Sequence, residues 1–211
     1  MASETIHILD DEAGIRKALS RLLRAEGYEV RAFESAEAFL KGCNAEEISC
    51  LLLDLAMPEI DGLELQRRLI RAGVMVPIVF LTGSTDIPMI VRAVQAGALD
   101  YLTKPVDDTA LLDAVRRALE VASTYKQERD DSARAAARFS RLTPREREVM
   151  EAVVAGKPNK LIAAELGACE QTVKVHRRRL MDKMGAESLA ALIHTADRLH
   201  AGRRSFLLPA R

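Results

Sequence analysis

The chain has 211 residues, enough for one large or two small domains, each with its own core. Lys and Arg number 31 against 31 Asp and Glu, yet residues 1–122 carry 13 cations and 20 anions while residues 123–211 carry 18 and 11. An acidic half joined to a basic half points to the second half alone as the surface for a polyanion. No run reaches the roughly 18–20 apolar residues that span a bilayer. Met1 to Thr5 lack the basic and apolar regions of a secretory signal, so a cytoplasmic protein with no membrane partner is expected. Cys43, Cys50 and Cys169 are odd in number and form no Cys-x-x-Cys pair. They are expected as small apolar fillers of a reduced protein.

The first half alternates short apolar runs with helical patterns five times. Strands are expected near 5–9, 28–33, 50–54, 77–81 and 99–102. Helices are expected near 14–26, 35–42, 62–72, 87–96 and from 108 onward. Such interleaving builds βα units on a parallel sheet with right-handed crossovers. Gly27, Gly73 and Gly97 fall just past helices, where a left-handed residue is expected. Leu112, Val115, Leu119 and Ala122 give the last helix an apolar stripe at three-four spacing. Thr124 to Arg138 is polar and Ala-rich without a stripe, which predicts a helical, solvent-bridging linker over 123–140.

Three carboxylates and a lysine stand at the ends of these strands. Asp10 and Asp11 close Ile6-His7-Ile8-Leu9, Asp54 closes Leu51-Leu52-Leu53, and Lys104 follows Tyr101-Leu102-Thr103. Thr82, after Ile78-Val79-Phe80-Leu81, adds a hydroxyl. In an open parallel sheet the carboxyl ends of the strands share one crevice, so these residues converge. Clustered carboxylates need a cation, and hard Mg²⁺ takes oxygen ligands while leaving room for a phosphate. Asp61, before Gly62, is expected to cap the third helix rather than to bind metal.

The second half opens with Leu142-Thr143-Pro144-Arg145-Glu146, a capping box with proline at the first helical position. Helices are expected from there to Gly156, from Pro158-Asn159 to Leu166, from Glu170 to Gly185, and from about Ser188 to His200. On a wheel at about 100° per residue, Val173, His176 and Met184 lie within about 40° of Leu180 and form a buried stripe. Gln171, Lys174, Val175, Arg178 and Asp182 face the opposite way, with Arg177 and Arg179 on the flanks. Lys174, Val175 and Arg178 suit a major groove: two long donors, and one apolar side chain for a thymine methyl. Asn159, Lys160 and Thr172 are placed to hold backbone phosphates. Leu189, Leu192, Ile193 and Ala196 give the last helix one apolar face, expected to pack the small core. The Gly167 turn between two such helices is a helix-turn-helix arrangement.

The first half, with Asp54-x-x-Met57-Pro58-x-x-Asp61-Gly62 and Lys104-Pro105, resembles the receiver domain of bacterial two-component response regulators. The second half, with Leu142 to Val149, Asn159-Lys160-x-Ile162-Ala163 and Thr172 to Arg177, resembles a LuxR-type helix-turn-helix. Together they are similar to the FixJ branch of the FixJ/NarL family over nearly the whole chain. The resemblance implies a doubly wound α/β receiver over 1–122 with strand order 2-1-3-4-5, then the linker, then an all-α four-helix DNA-binding domain over 141–211. It implies that Asp54 accepts a phosphoryl group from a cognate histidine kinase as an acyl phosphate. Asp11 and Asp54 would ligate Mg²⁺ directly, Asp10 through water, with the Ala56 carbonyl completing the protein share. Lys104 and Thr82 would bind phosphoryl oxygens, and Tyr101 would turn inward behind Thr82 as the switch aromatic. Homodimerisation through residues 87–120 and binding to double-stranded DNA would follow, with Glu146 and its neighbours open to RNA polymerase.

Such a protein is no enzyme beyond its own phosphorylation and dephosphorylation. A phosphatase-like reading, with Asp10 or Asp11 as nucleophile, needs an Asp-x-Asp pattern that adjacent Asp10-Asp11 do not provide. A phosphorylation-independent, constitutive DNA-binding regulator is the other alternative; the intact Asp54, Thr82 and Lys104 set speaks against it.

Overall fold

The computed structural model describes residues 4–44, 47–83 and 87–205; the first residues, read above for a leader, lie partly outside them. The chain divides into two compact units, Met1–Lys126 and Gln127–Arg211.

In the first unit five strands alternate with helices: β1 (Thr5–Leu9), α1 (Ala13–Ala25), β2 (Glu29–Phe33), α2 (Ala36–Gly42), β3 (Cys50–Asp54), α3 (Gly62–Arg71), β4 (Ile78–Thr82), α4 (Ile87–Gln95) and β5 (Asp100–Thr103). All pairings are parallel and the strand order is β2-β1-β3-β4-β5. Every residue of β1, β3 and β4 is buried, as continuous apolar runs covered on both faces require. The edge strands β2 and β5 are only partly covered. One face packs Ile8, Leu52 and Val79 against Leu19 and Leu23 of α1 and against Leu111, Ala114, Val115 and Ala118. The other packs Leu53 and Phe80 against Phe39 of α2 and Leu63, Leu65 and Leu69 of α3. Gly27, Gly73 and Gly97 have φ of 89°, 73° and 91°, the left-handed values expected past α1, α3 and α4.

Helix α5 runs unbroken from Asp108 to Ser140. Its buried positions near the sheet are Leu111, Ala114, Val115, Ala118 and Leu119, a stripe shifted from the one read in the sequence because the small alanines carry as much of the contact as the larger residues. Towards its other end Ala135 is buried and Phe139 packs on the second unit's core, so this end is not polar all round.

The second unit continues with α6 (Pro144–Val154), α7 (Asn159–Glu165), α8 (Glu170–Met184) and α9 (Leu189–Ser205). The Thr143–Glu146 capping box forms as expected. Val149, Val153, Ile162, Val173, Leu180, Met184 and Leu192 make the core. Of the apolar face read on the last helix, Leu192 and Ala196 are buried, while Leu189 is exposed. No helix among the described residues is long and apolar enough to cross a membrane.

Candidate functional site

The parallel register carries Asp54, Thr82 and Lys104 to one edge of the sheet. Asp54 pairs with Leu81 across β3 and β4, and Thr82 with Thr103 across β4 and β5. The Lys104 amide then donates to the Thr82 carbonyl at 2.8 Å, which fixes the residue just beyond β5. Gly62 lets α3 begin against this edge. A Cβ there would lie 2.5 Å from the Asp54 carbonyl and 2.9 Å from the Phe80 ring. Asp61 caps α3 by accepting from the Glu64 amide at 2.7 Å, so its carboxylate is engaged away from the cluster.

Asp10, Asp11 and Asp54 each bring a carboxylate oxygen within 4.8 Å of the others. Asp10 and Asp54 are buried and Asp11 is exposed. The Lys104 ammonium sits among them, 2.8 Å from Asp10 Oδ2, 3.1 Å from Asp54 Oδ2 and 3.2 Å from Glu12 Oε1. Burial pushes the Asp54 carboxyl above the usual range, against the opposing pull of Lys104 and of the Ala56 amide, which donates to Asp54 Oδ1 at 3.2 Å. Burial also acts to lower the Lys104 pKa, but its bonds to Asp10 and Asp54 and their charges outweigh it and push the value up. Thr82 is buried at the end of β4. Tyr101 is 41 % exposed, so the inward ring that the resemblance implies is not the arrangement found. It lies on the edge strand β5.

Two partners escaped the sequence reading. Arg16 Nη1 on α1 donates to the carbonyls of Asp10 at 2.7 Å and Asp11 at 2.8 Å, holding the turn that presents both carboxylates. The Glu12 amide donates to Asp10 Oδ1 at 2.8 Å. An arginine on an amphipathic helix reads as solvated surface, so nothing in the spacing announced the first contact. The donor set is hard oxygen with one exposed carboxylate, and it fits a hydrated divalent cation such as Mg²⁺.

On α8, Val173, Leu180 and Met184 are buried, and Lys174, Val175, Arg178, Arg179 and Thr172 are exposed. Lys174 pairs with Glu170 at 3.2 Å, a surface contact that leaves it available. Arg177 differs: it is half-buried and donates to Asn159 Oδ1 at 3.0 Å. This bond braces α7 against α8, using one N–H of Arg177 and the carbonyl oxygen of Asn159. Lys160 is exposed. Glu146 is buried, accepting from the Thr143 amide at 2.8 Å and from Lys183 Nζ at 2.6 Å, so it offers no surface to a polymerase. Cys43 is half-buried and Cys50 buried, but Cys169 is an exposed thiol before α8, not an apolar filler.

Residues 6–116 match the family described as "Response regulator receiver domain", and residues 140–196 match "Bacterial regulatory proteins, luxR family". The chain therefore belongs to the two-component response regulators, with a receiver followed by a LuxR-type DNA-binding domain. It is 42 % identical to the response regulator protein TmoT of Ectopseudomonas mendocina, over 92 % of this chain and 88 % of that protein. It is 42 % identical to the transcriptional regulatory protein FixJ of Rhizobium meliloti (strain 1021), over 93 % and 96 %. Among solved structures, the response regulator StyR superposes with a TM-score of 0.80 at 42 % identity, covering 93 % of this chain and all of that one. The two matched domains and the relative named as a transcriptional regulatory protein support a two-component transcriptional regulator.

Proposed function

We propose that this chain is a phosphorylation-activated transcriptional regulator in which Asp54 is the phosphoacceptor. The observation that carries the proposal is the placement of Lys104 between the buried carboxylates of Asp54 and Asp10. An Asp54 oxygen attacks the phosphorus of a kinase phosphohistidine; the P–O bond forms as the P–N bond breaks, and the imidazole nitrogen leaves and takes up a proton. Asp10, Asp11, Asp54 and the Ala56 carbonyl would hold Mg²⁺, which when bound neutralises charge around the phosphoryl oxygens. Lys104 already binds Asp54 as a point charge and turns to a phosphoryl oxygen once the carboxylate is esterified. The Thr82 hydroxyl binds another. These contacts exist only in the phosphorylated state, so they shift the receiver towards its active conformation.

The activated receiver dimerises through α4, β5 and the start of α5. Val91, Val94, Leu99 and Tyr101 are exposed there at 45 %, 50 %, 36 % and 41 %. Asp100 and Arg117, an ion pair beside them, offer both charge signs for a self-complementary contact with a second copy. Two copies of α8 then read adjacent major-groove half-sites through Lys174, Val175 and Arg178, with Arg179, Thr172 and Lys160 on phosphates, and avidity raises affinity.

Sedimentation mass with Mg²⁺, with and without acetyl phosphate, tests the switch. A monomer-to-dimer shift that Asp54→Asn abolishes supports it. A dimer that forms equally without phosphodonor, with unchanged DNA affinity, would establish the constitutive alternative.

A further inference from the structure

The last turns of α5 are tied to the DNA-binding unit by a set of side chains on one side of the helix. Asp131 Oδ2 lies 3.1 Å from Arg198 Nη1 on α9, and Ser132 Oγ donates to the Arg198 carbonyl at 3.4 Å. Ala135 is buried, and Phe139 packs on the core with the Arg147 guanidinium carbon 5.1 Å from its ring centroid. A further contact reaches the recognition helix itself: Arg138 Nη1 donates to the Met184 carbonyl at 3.0 Å.

Met184 is the last residue of α8, where carbonyls lack helical partners and the helix dipole is negative. A guanidinium answers both needs at once. Gly185 follows in the left-handed conformation, with φ 62° and ψ 37°. A Cβ there would lie 3.0 Å from Arg138 Nη1 and 3.1 Å from Cζ. Gly185 therefore serves twice: it turns the chain out of α8 and leaves the space in which Arg138 lies against the backbone.

We propose that Arg138 is a positioning residue for DNA recognition, holding the C-terminal end of α8 and so setting the pitch of the face that carries Lys174, Val175 and Arg178. The inference rests on the reading of α8 as the DNA-reading helix. The lever is geometric. Lys174 stands ten residues from Met184, about 15 Å along the axis at a rise of about 1.5 Å per residue. A tilt of about 5° displaces such a residue by more than about 1 Å, beyond the roughly 0.5 Å within which side-chain recognition geometry is held. Sequence-independent attraction to phosphates tolerates that displacement, because it depends on charge number and not on alignment. Arg138 thus governs selectivity more than bare affinity.

The test uses the full-length chain treated with acetyl phosphate and Mg²⁺, a duplex selected from a random pool by the wild-type protein, and a random-sequence duplex. Arg138→Ala should weaken binding to the selected duplex about tenfold. Random-duplex affinity should stay within about twofold and the slope of log K against log salt should not change. Amide exchange in residues 183–186 should quicken, and Arg138→Lys, which keeps the charge and a donor, should restore most of the selectivity. Equal losses on both duplexes, with the salt slope reduced by about one, would overturn the proposal in favour of a direct phosphate contact. An unchanged ratio of the two affinities would also overturn it. Should Arg138→Ala fail to fold, Arg138→Gln decides, with a lowered ratio supporting the proposal and an unchanged one overturning it. Lys174→Ala serves as the control: if it leaves selected-duplex binding intact, the assignment of the α8 face fails, whatever Arg138 does.

Discussion

The acidic edge of the receiver and the outer face of α8 both concentrate charge, by opposite means. At the sheet edge, residues 44 to 94 positions apart are brought together by strand register, and Asp10 and Asp54 are nearly withdrawn from water. On the outer face of α8 the charges come from one short segment and stay in solvent, with Lys174 pairing to Glu170 one turn away. Burial makes each receiver contact strong and specific, since a carboxylate in a low-dielectric setting must find a partner. Exposure makes each α8 cation individually weak, so recognition there depends on where the helix is aimed. The first region should lose function through single atoms, and the second through summed contacts and pitch.

Asp54→Asn is the most severe break on the receiver side. Labelling by a small phosphodonor with Mg²⁺ should vanish, because the amide lacks the nucleophilic oxygen, while DNA binding in the absence of phosphodonor persists. Labelling at wild-type stoichiometry would remove Asp54 as acceptor.

Gly62→Ala comes next and separates the two regions by stability. The added methyl meets the Asp54 carbonyl and the Phe80 ring, and such overpacking costs about 1–3 kcal/mol. The receiver's melting transition should fall, with phosphorylation slowed as the Asp54 strand end is displaced. Binding to a random duplex should be untouched. A wild-type melting curve would mean that α3 moves aside freely.

Lys174→Ala and Arg178→Ala should each cost about 1–3 kcal/mol of binding to a selected duplex if they read bases. If either contacts phosphate alone, affinity falls evenly across sequences and the salt slope drops by about one. Arg177→Ala offers the contrast within the same helix: it removes the brace to Asn159 and should act through the stability of the α7–α8 pair, with no change in salt slope. Unchanged binding in both Lys174→Ala and Arg178→Ala would show that the wrong face of α8 has been chosen.

What the sequence revealed divides along the same line. Strand ends were legible because β1, β3 and β4 are covered on both faces and read as unbroken apolar runs, which located Asp10, Asp54 and Thr82. The phase of α8 was legible because Val173, Leu180 and Met184 repeat at helical spacing. Contacts made by side chains to backbone carbonyls were not legible. Arg16 on the Asp10 and Asp11 carbonyls and Arg138 on the Met184 carbonyl leave no residue-type pattern, since any carbonyl accepts. The attachment of residues 131–139 was hidden for a related reason: Ala135 buries fully while adding almost nothing to hydropathy. Glu146 read as a helix cap, but its burial depends on Lys183, 37 residues away.

The smallest expected effect tests burial within the strand that leads to the acidic edge. His7 on β1 is fully buried, with its ring stacked 5.9 Å from Phe33 and edge-on to Phe39 at 6.2 Å. Burial lowers its pKa from the ordinary 6.5. The unfolded chain takes up a proton there at a pH where the folded chain still refuses it, so unfolding binds protons and stability falls as pH falls. The loss begins near pH 6.5 and deepens until the pH reaches the folded-state value; above that window His7 is neutral in both states and contributes no slope. His7→Leu removes the titration while keeping an apolar side chain between the two phenylalanines. Urea unfolding at a series of pH values between neutrality and mild acid should show a shallower decline for the variant, with the two proteins differing least near neutral pH. Parallel declines would show that carboxylate protonation alone governs the acid limb, and that the core at β1 admits a charged imidazole without opening.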